Sequence, residues 1–178
     1  MAKNKPSKKI KTPPPPAPEG VEFYFDKFAA SHQNPANKLI YTIFIPLLIF
    51  GLIGIVWTIP FPYIKFLGQY NADFNWASVL LAVVVYYYIR RSAVLGYFML
   101  FVMLIFFYLI TQLVQWQNAG GPNMGILCLV IYFISFIALF VGYKMEGKKL
   151  SFEYRYKNIL IAPIFLLHLV LRKFKVKY

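Results

Sequence analysis

Apolar residues run along this chain in blocks too long for a strand and too continuous for a half-exposed helix. Leu39–Ile59 carries no charge over 21 residues, and Ala93–Val114 and Asn123–Val141 are similarly uninterrupted. A helix needs roughly 20 apolar residues to cross a hydrocarbon core of about 30 Å, so these blocks predict membrane spans. Phe74–Ile89 is a shorter span that starts beside Trp76, an aromatic suited to the interface, and only Arg90, Arg91 and Ser92 separate it from the next. The second and third spans thus form a tight helical hairpin, with Ser92 as N-cap. A fifth block, Asn158–Leu171, has 14 residues and contains Pro163. At about 1.5 Å per residue it reaches only about 21 Å, which predicts a re-entrant or interfacial segment.

The polar stretches complete the pattern. Residues 1–20 hold five lysines and the proline run Pro13–Pro16, a composition for a disordered tail with a polyproline spacer. Val21–Ser31 alternates apolar Val21, Phe25 and Phe28 with Glu22, Asp26 and Lys27, as an interfacial helix does. Asn34-Pro35 is a helix start, the asparagine capping and the proline in the first position, where its missing N–H costs nothing. The expected fold is all-α: a membrane bundle of four spanning helices, an N-terminal interfacial helix and a short re-entrant or interfacial C-terminal helix, with residues 21–178 forming one membrane domain.

Composition agrees, since 60% of the 178 residues are hydrophobic and 14% charged, against about 45–50% and 25% in soluble domains. The net charge of +13 changes the picture only when sorted by loop. Seven lysines precede the first span, two arginines join spans two and three, and five basic residues lie between span four and the fifth block, whereas the other two loops hold only Lys65. The positive-inside rule then puts the N-terminus in the cytoplasm. With a re-entrant fifth block, Arg172, Lys173, Lys175 and Lys177 join that side and both termini are cytoplasmic. The charge therefore speaks for a lipid surface and against nucleic acid as the anionic partner. The single cysteine, Cys128, excludes an internal disulfide and a thiolate metal site.

In this topology the start of span one and the end of span four share the cytoplasmic interface. His32, Asn37, Tyr41, Tyr143 and Glu146 converge there if the two helices are neighbours, where they would meet an amphipathic substrate at headgroup depth. The sequences FDKFAASHQNPANKLIYTIFIPLLIF and FVGYKMEGKKLSFEYRYKNILIAPIF resemble the two signature blocks of the membrane family that includes the fungal 2-hydroxy fatty acid dioxygenase of the endoplasmic reticulum. That enzyme shortens 2-hydroxy fatty acids by one carbon with ferrous iron and dioxygen, and the family has bacterial relatives of unassigned function. Together the blocks cover about a third of the chain. His32, Asn34, Pro35 and Asn37 match the first; Gly142, Glu146, Gly147, Lys148 and Lys149 fit the bacterial form of the second, and Pro163 matches the proline of the last helix.

The resemblance implies a lipid or fatty acid as partner, iron(II) as cofactor, His32 and Glu146 as metal ligands, Asn37, Tyr41 and Tyr143 as residues that position substrate or complete the metal shell, and Lys148 and Lys149 at a lipid headgroup. It also marks a departure: two family histidines are here Tyr41 and Tyr143. Imidazole is the usual ligand of ferrous iron in oxygenases, and His32 with Glu146 alone are too few. Each residue also has a plainer reading: His32 as an interfacial residue, the tyrosines as belt or packing residues, Glu146 as a solvated charge near Lys148 and Lys149, and His168 as a hydrogen-bonded packing residue. The alternative from another class is a non-enzymatic protein that organises lipid or docks a partner. A transporter is the weakest reading, because His168 is the only ionisable group placed inside an apolar block. A bacterial inner membrane suits the second block, and the endoplasmic reticulum is expected if the source is eukaryotic.

Overall fold

The structure, a computed structural model, describes residues 25–26, 28–30, 33–72, 74–146 and 152–173, the side chains of Ala72 and 152–160 excepted. The described residues are all-helical, without strands. After the helical residues 25–26 and 28–30 come α1 (Pro35–Trp57), a 3₁₀ segment (Lys65–Ala72), α2 (Trp76–Arg91), α3 (Ala93–Asn118), α4 (Met124–Met145) and α5 (Phe152–Lys173). Three of these, α1, α3 and α4, are long and apolar enough to cross a membrane. Their outward faces carry large apolar side chains that water would not tolerate, Phe101 and Ile126 each being 63% exposed. The disordered tail expected at 1–20, and most of the expected interfacial helix 21–31, lie outside the described residues.

The helix boundaries follow local chemistry. Asn34 Oδ1 accepts from the Ala36 N–H at 2.9 Å, with Pro35 in the first turn, and α1 continues through Pro46 to Trp57. Asn75 and Ser78 form a reciprocal capping box at the start of α2. Ser92 closes α2 and caps α3, so the hairpin turns on one residue. Asn123 caps α4.

One difference from the sequence-based expectation concerns length. The block expected at 158–171 is the C-terminal part of a 22-residue helix, because the polar residues from Phe152 continue it. At about 1.5 Å per residue that helix is about 33 Å long, although its first turns are polar. In contrast, α2 has 16 residues and is preceded by a 3₁₀ segment bent away from it by 100°. Asn71 closes the 3₁₀ segment on itself, its side chain accepting from the Ile64 N–H and donating to the Ile64 and Gly68 carbonyls, each at 2.8 Å. Gly68 supplies the left-handed backbone at φ 50°.

The closest packing joins α1 to α4, antiparallel along their whole length. Thr58 lies against Gly125 at one end, Gly54 against Cys128, Gly51 against Tyr132, and Asn37 against Gly142 at the other. A Cβ at position 51 would stand 2.9 Å from the Cys128 carbonyl oxygen and from the Tyr132 nitrogen. Small residues are what let two helices approach this closely in lipid, where dispersion contacts replace the hydrophobic drive. The α2–α3 hairpin closes in the same manner, with Gly96 against Ile89. The buried cluster that unites the bundle includes Ile53, Leu95, Met99, Met103, Ile110, Cys128 and Ile164.

Candidate functional site

The antiparallel α1–α4 pair brings together the N-terminus of one helix and the C-terminus of the other. Glu146 caps the C-terminal end of α4, a position where the helix dipole disfavours a carboxylate. The neighbouring helix reverses that sign. Glu146 Oε1 accepts from the Asn34 backbone N–H at 3.0 Å and from Asn37 Nδ2 at 2.8 Å, and Oε2 accepts from the Gln33 N–H at 3.3 Å. Two of these donors are among the N–H groups that a helix start leaves without intrahelical partners. A carboxylate accepting such bonds gains about 1.5–3 kcal/mol from each in favourable geometry.

Asn37 is the buried member of this clasp, with no exposed surface. Its Nδ2 faces Glu146, while its Oδ1 is buried without a hydrogen-bond partner. That oxygen rests against the α carbon of Gly142, where any side chain would overlap it. That overlap gives Gly142 a reason to be glycine.

Tyr41 stands one helical turn above Asn37, half-buried, and within electrostatic reach of both Glu146 and Tyr143. Its ring meets Phe28 edge-on at 5.9 Å, inside a small cluster of Phe28, Ile45 and Ala162 with Leu139, Phe165 and Leu166. Of the residues singled out in the sequence, the structure therefore brings Asn37, Tyr41, Tyr143 and Glu146 to one end of the bundle, along with the N-terminal helical residues and α5. His32, Lys148 and Lys149 lie outside the described residues. His168 borders the same aromatic cluster, packed on Phe25 at 4.6 Å and on Phe165 at 5.9 Å between ring centres, an environment that favours packing over a transport path.

Three participants escaped the sequence reading: the backbone N–H groups of Gln33 and Asn34, and Gly142 as the wall behind Asn37. Backbone donors carry no side-chain signature, but the small residue facing the first turn of α1 was available as a signal.

The described donors at this end do not by themselves make up a ferrous iron site, and His32 lies outside them. Among the described residues, no three of His, Cys, Asp and Glu come together. Among the described residues Glu146 is the carboxylate at this end, and it accepts from three N–H donors. Tyr41 and Tyr143 offer phenols, which must lose a proton of ordinary pKa about 10 to ligate a metal. What the arrangement does chemically is hold a half-buried carboxylate between two helix ends and tie those ends together.

A second feature opens beside this clasp. Between α1, α3 and α5 lies an apolar groove of about 420 Å³, running from Thr42 and Ile49 on α1 past Met103 and Phe106 on α3 to Lys173 at the end of α5. No protein-family model, curated protein or solved structure matches the chain.

Proposed function

We propose that this is an interfacial lipid-binding membrane protein, related in its two motif blocks to the 2-hydroxy fatty acid dioxygenase-like family but working without iron-dependent oxygenation. The observation that carries the reading is the Glu146 clasp. Asn34 and Asn37 from the first block hold Glu146 from the second, so the two stretches that bear the resemblance form one unit at one end of the bundle. The presence of Tyr41 and Tyr143 in place of two histidines favours binding over metal chemistry. In this reading the clasp end is cytoplasmic, α2 serves as a fourth, short span completed by the interfacial Trp76, and α5 lies at or dips into the cytoplasmic interface. Lys148 and Lys149 follow the clasp directly in the sequence and add positive charge for lipid headgroups of the cytoplasmic leaflet. The bacterial form of the second block favours a bacterial inner membrane.

The test is metal and lipid analysis of the purified protein, with oxygen uptake measured on 2-hydroxypalmitic acid. The expected result is iron well below one atom per chain, no oxygen uptake, and an acyl lipid or fatty acid released on denaturation. Stoichiometric iron with oxygen uptake would make the protein an oxygenase. Neither iron nor released lipid would leave the docking of a protein partner as the function.

A further inference from the structure

We propose that the groove between α1, α3 and α5 is a slot for a single acyl chain whose anionic head, a carboxylate or a phosphate, is held by Lys173. The proposal rests on the lipid-binding reading above and assigns it a place separate from the Glu146 clasp.

The groove exists because two of its facing walls present proline rings instead of long side chains: Pro46 on α1 and Pro163 on α5. The third wall is α3, where Met99 and Met103 are almost fully buried. Unbranched thioethers adapt to an irregular or flexible occupant better than branched side chains do. The ring of Phe106 closes against Phe50 at 5.7 Å, an edge-on contact that borders the slot on one side. At about 420 Å³ the space lies in the range of roughly 300–1,000 Å³ typical of small-molecule sites.

The lining decides what fits. It is aliphatic, thioether and aromatic apart from Thr42 and Lys173. Thr42 turns its hydroxyl back to the Lys38 carbonyl at 2.8 Å, so its polar group is engaged within its own helix. Lys173 is left as the one charged group, and the lining contains no carboxylate to neutralise it. An apolar slot with a lone ammonium is complementary to an amphiphile with one chain and one negative head. A neutral lipid would leave the ammonium without a counter-charge beside an apolar wall. Lys173 is exposed at the end of α5, and a lysine stem can lie along apolar surface while its ammonium stays in a polar layer.

The experiment uses the full chain in phosphatidylcholine nanodiscs and three photoactivatable probes with the same diazirine-tipped C16 tail: a fatty acid, a lysophosphatidic acid and a monoacylglycerol. Cross-links are mapped by mass spectrometry. One or both anionic probes are expected to label the Met99–Phe106 stretch, and the stronger one identifies the head. Lys173→Gln should lower that labelling about tenfold, the change expected for loss of one charge-assisted hydrogen bond, and Lys173→Arg should retain it. Met103→Trp, which fills the slot from the opposite wall, should abolish labelling on α3 while helicity persists. Equal labelling by the neutral probe, or no response to Lys173→Gln, would mean that bulk bilayer chains fill the groove, and would overturn the proposal. Labelling confined to other regions, with lipid still co-purifying, overturns the groove and leaves the broader reading standing. If no lipid co-purifies and no probe labels the protein, both are overturned.

Discussion

The Asn37 side-chain amide donates to Glu146 Oε1 at 2.8 Å across 109 residues of sequence. One bond thus ties the first turn of α1 to the end of α4, and it does so with the most buried polar residue at that end of the bundle. Truncating either partner leaves the other without its match in a desolvated setting, which costs about 1–3 kcal/mol. Asn37→Ala and Glu146→Ala should each lower the midpoint of thermal unfolding in detergent, and the double variant should be less destabilised than the sum. A coupling of about 0.5 kcal/mol or more is expected from a double-mutant cycle; additive effects would refute the clasp.

Glu146→Ala and Asn34→Ala should differ in a telling way. Asn34 caps α1 through its side chain but holds Glu146 through its backbone N–H. Replacing the side chain therefore removes only the cap, at about 1 kcal/mol, and keeps the bond to Glu146. Asn34→Ala with Glu146→Ala should consequently be close to additive by the same unfolding measurement, in contrast to the Asn37 pair.

The α1–α4 seam predicts a steric phenotype. At Gly54 an added methyl would overlap the Cys128 sulfur, so Gly54→Ala should destabilise by about 1–3 kcal/mol through overpacking. Removing the sulfur with Cys128→Ala should recover part of that loss, although Cys128 Cβ, at 2.8 Å from the new methyl, still crowds it. A Gly54→Ala loss unchanged by Cys128→Ala would mean that the helices separate instead of repacking.

Orientation is testable because the native thiol is silent. Cys128 is fully buried, so cysteines introduced singly at exposed positions can be read against a clean background with a membrane-impermeant maleimide. Lys144→Cys and Arg172→Cys should label from the same side of sealed vesicles, and Lys65→Cys from the other. Labelling of Arg172→Cys together with Lys65→Cys would show that α5 crosses the membrane.

Much of the architecture was legible in the sequence because the bilayer imposes it. Apolar length gave the α1, α3 and α4 blocks, and Asn34 and Ser92 marked helix starts by their capping chemistry. The length of α5 was not legible, since its first turns are polar and extend the helix beyond the apolar run. The role of Glu146 was hidden for a different reason. Beside Lys148 and Lys149 it reads as a solvated charge, and its partners are backbone groups from the other end of the chain. Only the approach of α1 to α4, set by Gly51, Gly54 and Gly142, turns that carboxylate inward.

The pairing of α1 with α4 also sets an order of events during synthesis. Helix α1 emerges without the neighbour it packs against most closely, and Glu146 follows Asn37 by 109 residues. At about 5–20 residues per second that delay is roughly 5–20 s, during which the glycine face of α1 is covered by lipid or by the insertion machinery. The clasp closes only when both helix ends have arrived on the same side of the bilayer. A chain with those two ends on opposite sides of the bilayer could not form the bonds from Gln33, Asn34 and Asn37 to Glu146.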